Sequence, residues 1–207
     1  MLRIWGRRDS FNLQKVMWCV GELGLAHERI DAGGTHGVTD TAAYLAMNPN
    51  GRVPTIDDDG FVLWESNAIV RYLSAKHGLG SLCPENPHRR AEADRWMDWQ
   101  SATVGAAMRP LTISMFRTGP EDRDPATVDQ QIREAGRYWT MLDAHLAGQD
   151  YVVGDSLTMG DIPLGVYAWR WFSVEGDRPV LENLEAWYRR LCDRPAFAEH
   201  AMIPLGP

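Results

Sequence analysis

Cysteine is scarce: the 207-residue chain carries three, Cys19, Cys83 and Cys192, far apart and in no CxxC pair. Such a set supports neither a disulfide framework nor a structural zinc site, and Cys83 with His88 lacks a second ligand pair. Cys19 and Cys192 fall inside helical patterns, where they read as inert buried thiols. Long apolar runs are missing too. No stretch approaches the ~20 residues that span a bilayer. Arg3, Arg7, Arg8, Asp9 and Lys15 interrupt the first positions, where a signal peptide would need an apolar core. The expected location is the cytoplasm. Basic charge is in deficit, with 21 Lys+Arg against 28 Asp+Glu and a net charge of −7. That is the opposite of a face that neutralises phosphates, so nucleic acid is not an expected partner.

What is present suits a folded chain: 44% hydrophobic and 24% charged residues, at a length for one large domain or two small ones. Residues 1–77 alternate short apolar runs with helical stretches. Positions 2–5 read as a strand and 6–10 as a loop, after which Leu13, Val16, Met17, Val20 and Leu23 mark one face of a helix. A strand at 27–30, a weak helical turn at 42–46 and a hairpin at 55–58 and 61–64 around Asp59-Gly60 follow. An amphipathic helix over 66–76 completes the order βαβαββα. Residues 78–87 (GLGSLCPENP) read as a linker. Beyond it strand signals nearly vanish, and helices are predicted over 89–108, 127–147, 158–171, 181–192 and 196–200. Residues 1–77 thus form a small α/β domain and 88–207 an all-α domain.

Four segments carry chemistry. In Arg7–Lys15 (RRDSFNLQK), Ser10 and Asn12 stand where the first helix begins. There they either cap the helix or direct a hydroxyl and an amide at an anion held over its positive end. In NPNGRVPTI, the Val53-Pro54 step stands at a strand entrance and suits a cis peptide bond or an ordinary turn. In WESNAIVRYL, Glu65-Ser66 lies between a strand end and a helix start. Ser66 is a natural N-cap there, and the pair can either cap and solvate or grip a zwitterion, ammonium on Glu65 and carboxylate on Ser66. In SLTMGDIPL, Thr158 and Asp161 have capping-box spacing and are expected to nucleate a central helix of the second half.

In their order and spacing, the VP step, the following ES junction and the helical second half resemble the cytosolic glutathione transferase family across essentially the whole chain. The resemblance implies a thioredoxin-like glutathione-binding domain followed by an all-helical domain. It implies no metal or redox cofactor, and a homodimer. Ser10 matches the hydroxyl position of Ser-using classes, similar to theta, delta and related bacterial enzymes, and Asn12 matches a bacterial variant that shares or takes over this role. Val53 would offer its backbone to the cysteinyl part of glutathione, with Pro54 cis. Glu65 and Ser66 would hold the γ-glutamyl end, and Arg52 and His36 the glycyl carboxylate. The absence of a cysteine at the first helix and of a tyrosine near the first strand sets the chain apart from thiol-cycling and Tyr-using classes.

The implied activity is conjugation of glutathione to small hydrophobic electrophiles; glutathione-dependent reduction of disulfides or peroxides, or a non-catalytic interaction module, are the rivals. The electrophile pocket is expected between the domains, with Trp96, Trp99, Met108, Arg109, Met115 and Phe116 as candidate walls. A Trp/Met stripe at helical spacing also suits a core. Asp98 and Gln100 are candidates to approach the partner subunit's site.

Overall fold

The computed structural model describes residues 1–205. Its first half contains β1 (Leu2–Trp5), α1 (Phe11–Glu22), β2 (His27–Ile30), α2 (Ala42–Met47), β3 (Thr55–Asp58), β4 (Phe61–Trp64) and α3 (Ser66–His77). The four strands form one sheet in the order β2-β1-β3-β4, with β1 parallel to β2 and antiparallel to β3. Ile4 and Ile56 face each other in the centre of that register and are fully buried.

The second half is helical: α4 (Pro87–Trp99), α5 (Gly105–Phe116), α6 (Pro125–Leu146), α7 (Asp161–Phe172), α8 (Glu182–Cys192) and α9 (Pro195–His200). Asn86 starts α4 by accepting from the backbone N–H of His88 and Arg89, with Pro87 in the first turn, where a missing N–H costs nothing. The helix expected over 89–108 is interrupted. Residues 100–104 form one π turn, in which Gly105 N–H donates to Gln100 C=O, and the helix then continues to Phe116. A Cβ on Gly105 would lie 3.0 Å from that same oxygen. The segment between α3 and α4 is well anchored: Leu82 and Cys83 are buried, and Leu82 C=O accepts from Met159 N–H at 2.8 Å.

Helix α1 joins the halves. The sequence shows one apolar face, yet every residue from Leu13 to Val20 is buried, because α3 packs on one side and α7 and α9 on the other. Trp18 lies edge-on to Phe197 at 4.7 Å and against α7 at Gly165, where a Cβ would come within 2.7 Å of its ring. Only glycine lets the two helices approach this closely. At the start of α7, Asp161 Oδ2 accepts from the Thr158 N–H and hydroxyl. Its Oδ1 accepts from Val152 N–H and from the Trp187 indole. This is the reach-back half of a capping box, extended to two further elements.

Candidate active site

Ser10 ends the loop after β1 and occupies the N-cap of α1, with extended backbone (φ −74°, ψ 119°) and Oγ accepting from Leu13 N–H at 3.5 Å. Since the oxygen accepts from the helix, its hydroxyl proton is free for an anion in the cleft. Asn12 is one residue into the helix. Its Oδ1 accepts from Ser66 Oγ at 3.2 Å, so the first turns of α1 and α3 meet.

Ser66 is not itself the cap. Glu65 takes that place with φ +73°, a backbone region that disfavours side-chain-bearing residues, and Ser66 becomes the first helical residue. The reason is the abrupt turn from β4 into α3, made in one residue. The outcome leaves Ser66 nearly buried and Glu65 exposed beside the helix start.

The loop before β3 is held from below. Tyr44 hydroxyl and Asn48 Nδ2 both donate to Arg52 C=O, at 2.7 and 2.8 Å, and both contact Thr55 Oγ1. This clamp fixes Arg52 and the cis Val53-Pro54 bond opposite α1. Two adjoining cavities result, sharing Asn12, Arg52 and Val53. One of about 470 Å³ is walled by Asn48, Asn50, Pro54, Glu65 and Ser66. The other, about 460 Å³, runs from Ser10 and Phe11 to Arg109, Thr112, Ile113, Arg117 and Tyr167.

Ser10, Asn12, Arg52, Val53, Pro54, Glu65, Ser66 and Arg109 therefore line one continuous cleft. Phe116 and His36 line a neighbouring hollow, and His36 stands 3.8 Å from Asp31. Four expected pocket residues stand elsewhere, Trp96 among them, buried in the core. Met108 is fully buried, its sulfur accepting from the Trp139 indole at 3.4 Å. Trp99 packs edge-on against Trp96 at 5.0 Å, and Met115 packs half-buried against the core. For Met108, which follows it, the cause is the π turn. One extra residue rotates everything after it by about 100° relative to an unbroken helix, which turns Met108 inward and Arg109 and Thr112 toward the cleft. Gln100 is buried rather than facing outward, and Asp98 forms an ion pair with Arg71 of the same chain.

Sequence reasoning missed two buried basic side chains, Lys15 on α1 and Arg170 on α7. Lys15 Nζ donates to Gln100 Oε1 at 3.0 Å and Asn67 Oδ1 at 3.3 Å, and lies 5.5 Å from the Tyr167 ring centre. Burial pushes its pKa down to about 7, against the pull of Glu65, with Arg170 adding to the depression. Arg170 donates to Gln14 Oε1 and Val166 C=O and stacks 3.4 Å from the Phe11 ring centre. Burial lowers its pKa to about 9, which leaves the guanidinium charged at neutral pH. Lys15 had a visible signal, a charge between the apolar positions Leu13 and Val16. Tyr167 and Arg170 had none that separated them from a core helix.

Residues 10–76 match the family model for the glutathione S-transferase N-terminal domain, and residues 125–190 that for its C-terminal domain. Over 208 aligned residues the chain is 42% identical to glutathione S-transferase GstB of Escherichia coli, covering all of both chains. It is 28% identical to glutathione S-transferase 3 of Zea mays, over 100% of this chain and 96% of the other. Among solved structures, the theta class glutathione S-transferase of Xanthomonas axonopodis pv. citri with glutathione bound superposes with a TM-score of 0.93. The two are 46% identical, over 99% of this chain and 98% of that one. The chain belongs to the glutathione S-transferase family.

Proposed function

We propose that this enzyme conjugates glutathione, through its thiolate, to small electrophiles, with residues 1–77 holding glutathione and 88–207 supplying most of the electrophile wall. The carrying observation is the position of the Ser10 hydroxyl. It stands at the positive end of α1, in a cleft whose other walls are the Val53-Pro54 strand entrance and the Glu65-Ser66 turn. A close relative whose structure holds glutathione supports the same reading.

A free thiol with pKa ~8.5 is only ~3% thiolate at pH 7. A hydrogen bond to a charged group contributes roughly 1.5–3 kcal/mol, so one hydroxyl lowers that pKa by about 1–2 units, with the helix dipole assisting. In this reading Ser10 donates to the sulfur, and Asn12 helps through its amide end while Ser66 holds its carbonyl. Val53 presents its backbone to the cysteinyl unit. Glu65 takes the γ-glutamyl ammonium, Ser66 takes the γ-glutamyl carboxylate through its backbone N–H at the start of α3, and Arg52 the glycyl carboxylate. The electrophile then needs only to be held in line above the sulfur.

Retention on immobilised glutathione, together with rates on an aryl halide, cumene hydroperoxide and a small disulfide measured in parallel, tests the proposal. Conjugation is expected to dominate; turnover of the hydroperoxide or disulfide alone would replace it with reduction. A cytoplasmic homodimer is part of the proposal. A sedimenting species of ~23 kDa at micromolar concentration would remove the dimer.

A further inference from the structure

We infer that the preferred electrophile is a small molecule carrying a carboxylate, held by Arg109 and Arg117 beside the glutathione sulfur. The inference rests on the transferase reading above and adds its substrate class.

The cavity that runs from Ser10 toward the helical half is bordered by four arginines, Arg7, Arg52, Arg109 and Arg117, and by no carboxylate. Arg7 has its own counter-charge in Asp9 at 3.2 Å. Arg52 sits on the clamped loop, at the end assigned to glutathione. Arg109 and Arg117 remain. They lie eight residues apart, two turns along the same face of α5 and its C-terminal cap, with Thr112 and Ile113 between them. Neither has an ion-pair partner among the described residues, whereas Arg3, Arg29, Arg71 and Arg194 each have one.

The floor of the same region is also cationic. Arg170 lies buried behind Phe11 with no carboxylate against it, and its Nε has no hydrogen-bond partner. A chain with a net charge of −7 thus concentrates positive charge at one cleft. Low-dielectric walls focus such a field and draw in anions. Phe11, Ile113 and Tyr167 add an apolar and aromatic part of the wall, which suits the carbon skeleton of the same molecule. The two backbones stand about 12 Å apart along the helix, so the long side chains can converge on one anion held over Thr112 and Ile113; a carboxylate is the group that guanidinium forks fit.

The test uses 4-chloro-3,5-dinitrobenzoate and its methyl ester, which share the reacting carbon. In both, the thiolate sulfur bonds to the ring carbon bearing chlorine. The C–Cl bond breaks and chloride departs with the bonding pair, the thiol proton having gone to solvent. Each kcat/KM is divided by the uncatalysed rate with glutathione. The enhancement should be at least tenfold larger for the acid than for the ester, and the ratio should fall as salt rises from about 0.05 to 0.5 M. Arg109→Gln and Arg117→Gln should each reduce the ratio about 10–100-fold, and Arg117→Lys should retain part of it. Melting temperatures near that of the parent protein show that the variants are folded. A parent ratio at or below one, or variants that leave the ratio unaltered, would overturn the inference. So would variants that raise KM for glutathione with the ratio intact, since the arginines would then serve glutathione. Conjugation of the ester alone removes this inference and leaves the transferase reading standing. Failure on both substrates, with no retention on glutathione, removes the two together.

Discussion

Ser66 Oγ donates to Asn12 Oδ1 across 3.2 Å, joining two helix starts that lie 54 residues apart in the chain. Both helix ends present unpaired N–H groups to the same cleft, and the bond fixes their separation. It also orients the Asn12 amide, whose carbonyl is occupied and whose N–H groups are left as donors.

That division of labour predicts how the thiolate responds to mutation. Ser10→Ala should raise the pKa of bound glutathione by about 1–2 units, read from thiolate absorbance in the binary complex, and Asn12→Ala by less. Ser10→Ala also removes the cap of α1, a loss of about 1 kcal/mol in stability. A larger rise for Asn12→Ala would reverse the two roles. No rise for either would leave the sulfur to backbone amides.

Glu65 combines strain and charge, and two substitutions separate them. Glu65→Gln keeps the φ of +73° and loses the charge. It should raise KM for glutathione with a smaller effect on kcat and leave the melting temperature in place. Glu65→Gly should raise KM similarly while stabilising the fold by about 1 kcal/mol, because glycine adopts that backbone region freely. An unchanged KM in both would reduce Glu65 to a solvated charge at the helix end.

Lys15 makes stability depend on pH. Its pKa is about 7 in the folded protein against 10.5 without the burial. Between those values the unfolded chain binds more protons, so stability rises with pH across the window, and it is lowest below pH 7, where the buried amine is charged. The swing is on the order of a few kcal/mol. Lys15→Met should flatten the melting-temperature profile between pH 7 and 9.5. The lost bonds to Asn67 and Gln100 only offset the curve. Parallel profiles for the two proteins would show that the amine keeps its proton throughout.

Asp161 is saturated by donors from three elements. Burial pushes its pKa up, while those donors hold the ionised form. Asp161→Asn would set an NH2 group against N–H donors at one oxygen site. A cost of about 3–5 kcal/mol is expected, seen as a fall of roughly 6–20 °C in melting temperature. A fall of less than 2 °C would mean that the site repacks.

The order of elements was legible because each turned on a strong local signal: the Asp59-Gly60 hairpin, the helix periodicity of Leu13 to Leu23 and the Pro/Gly-rich break after residue 77. That Ser10, Val53, Pro54, Glu65 and Ser66 line one cleft was legible for the same reason, since all stand at element boundaries. The wall of the cleft on the helical side was not. Its geometry depends on one π turn at 100–104, which no residue pattern announces and which turns α5 by about 100° relative to an unbroken helix. Arg170 and Tyr167 escaped because a helix buried on nearly all sides shows little periodicity by which to tell its core residues from its functional ones.

The enclosure of α1 has a consequence for motion. With Trp18 set against Gly165 and Phe197, the two halves cannot swing apart without stripping a helix buried from Leu13 to Val20. Amide hydrogens of residues 14–20 should therefore exchange only through global unfolding, among the slowest in the chain. Traffic into and out of the cleft is left to its rim, where the exposed side chains of Arg109 and Arg117 can rotate on the nanosecond scale. The enzyme would then admit and release small molecules by side-chain gating over a rigid floor, with no hinge between its halves.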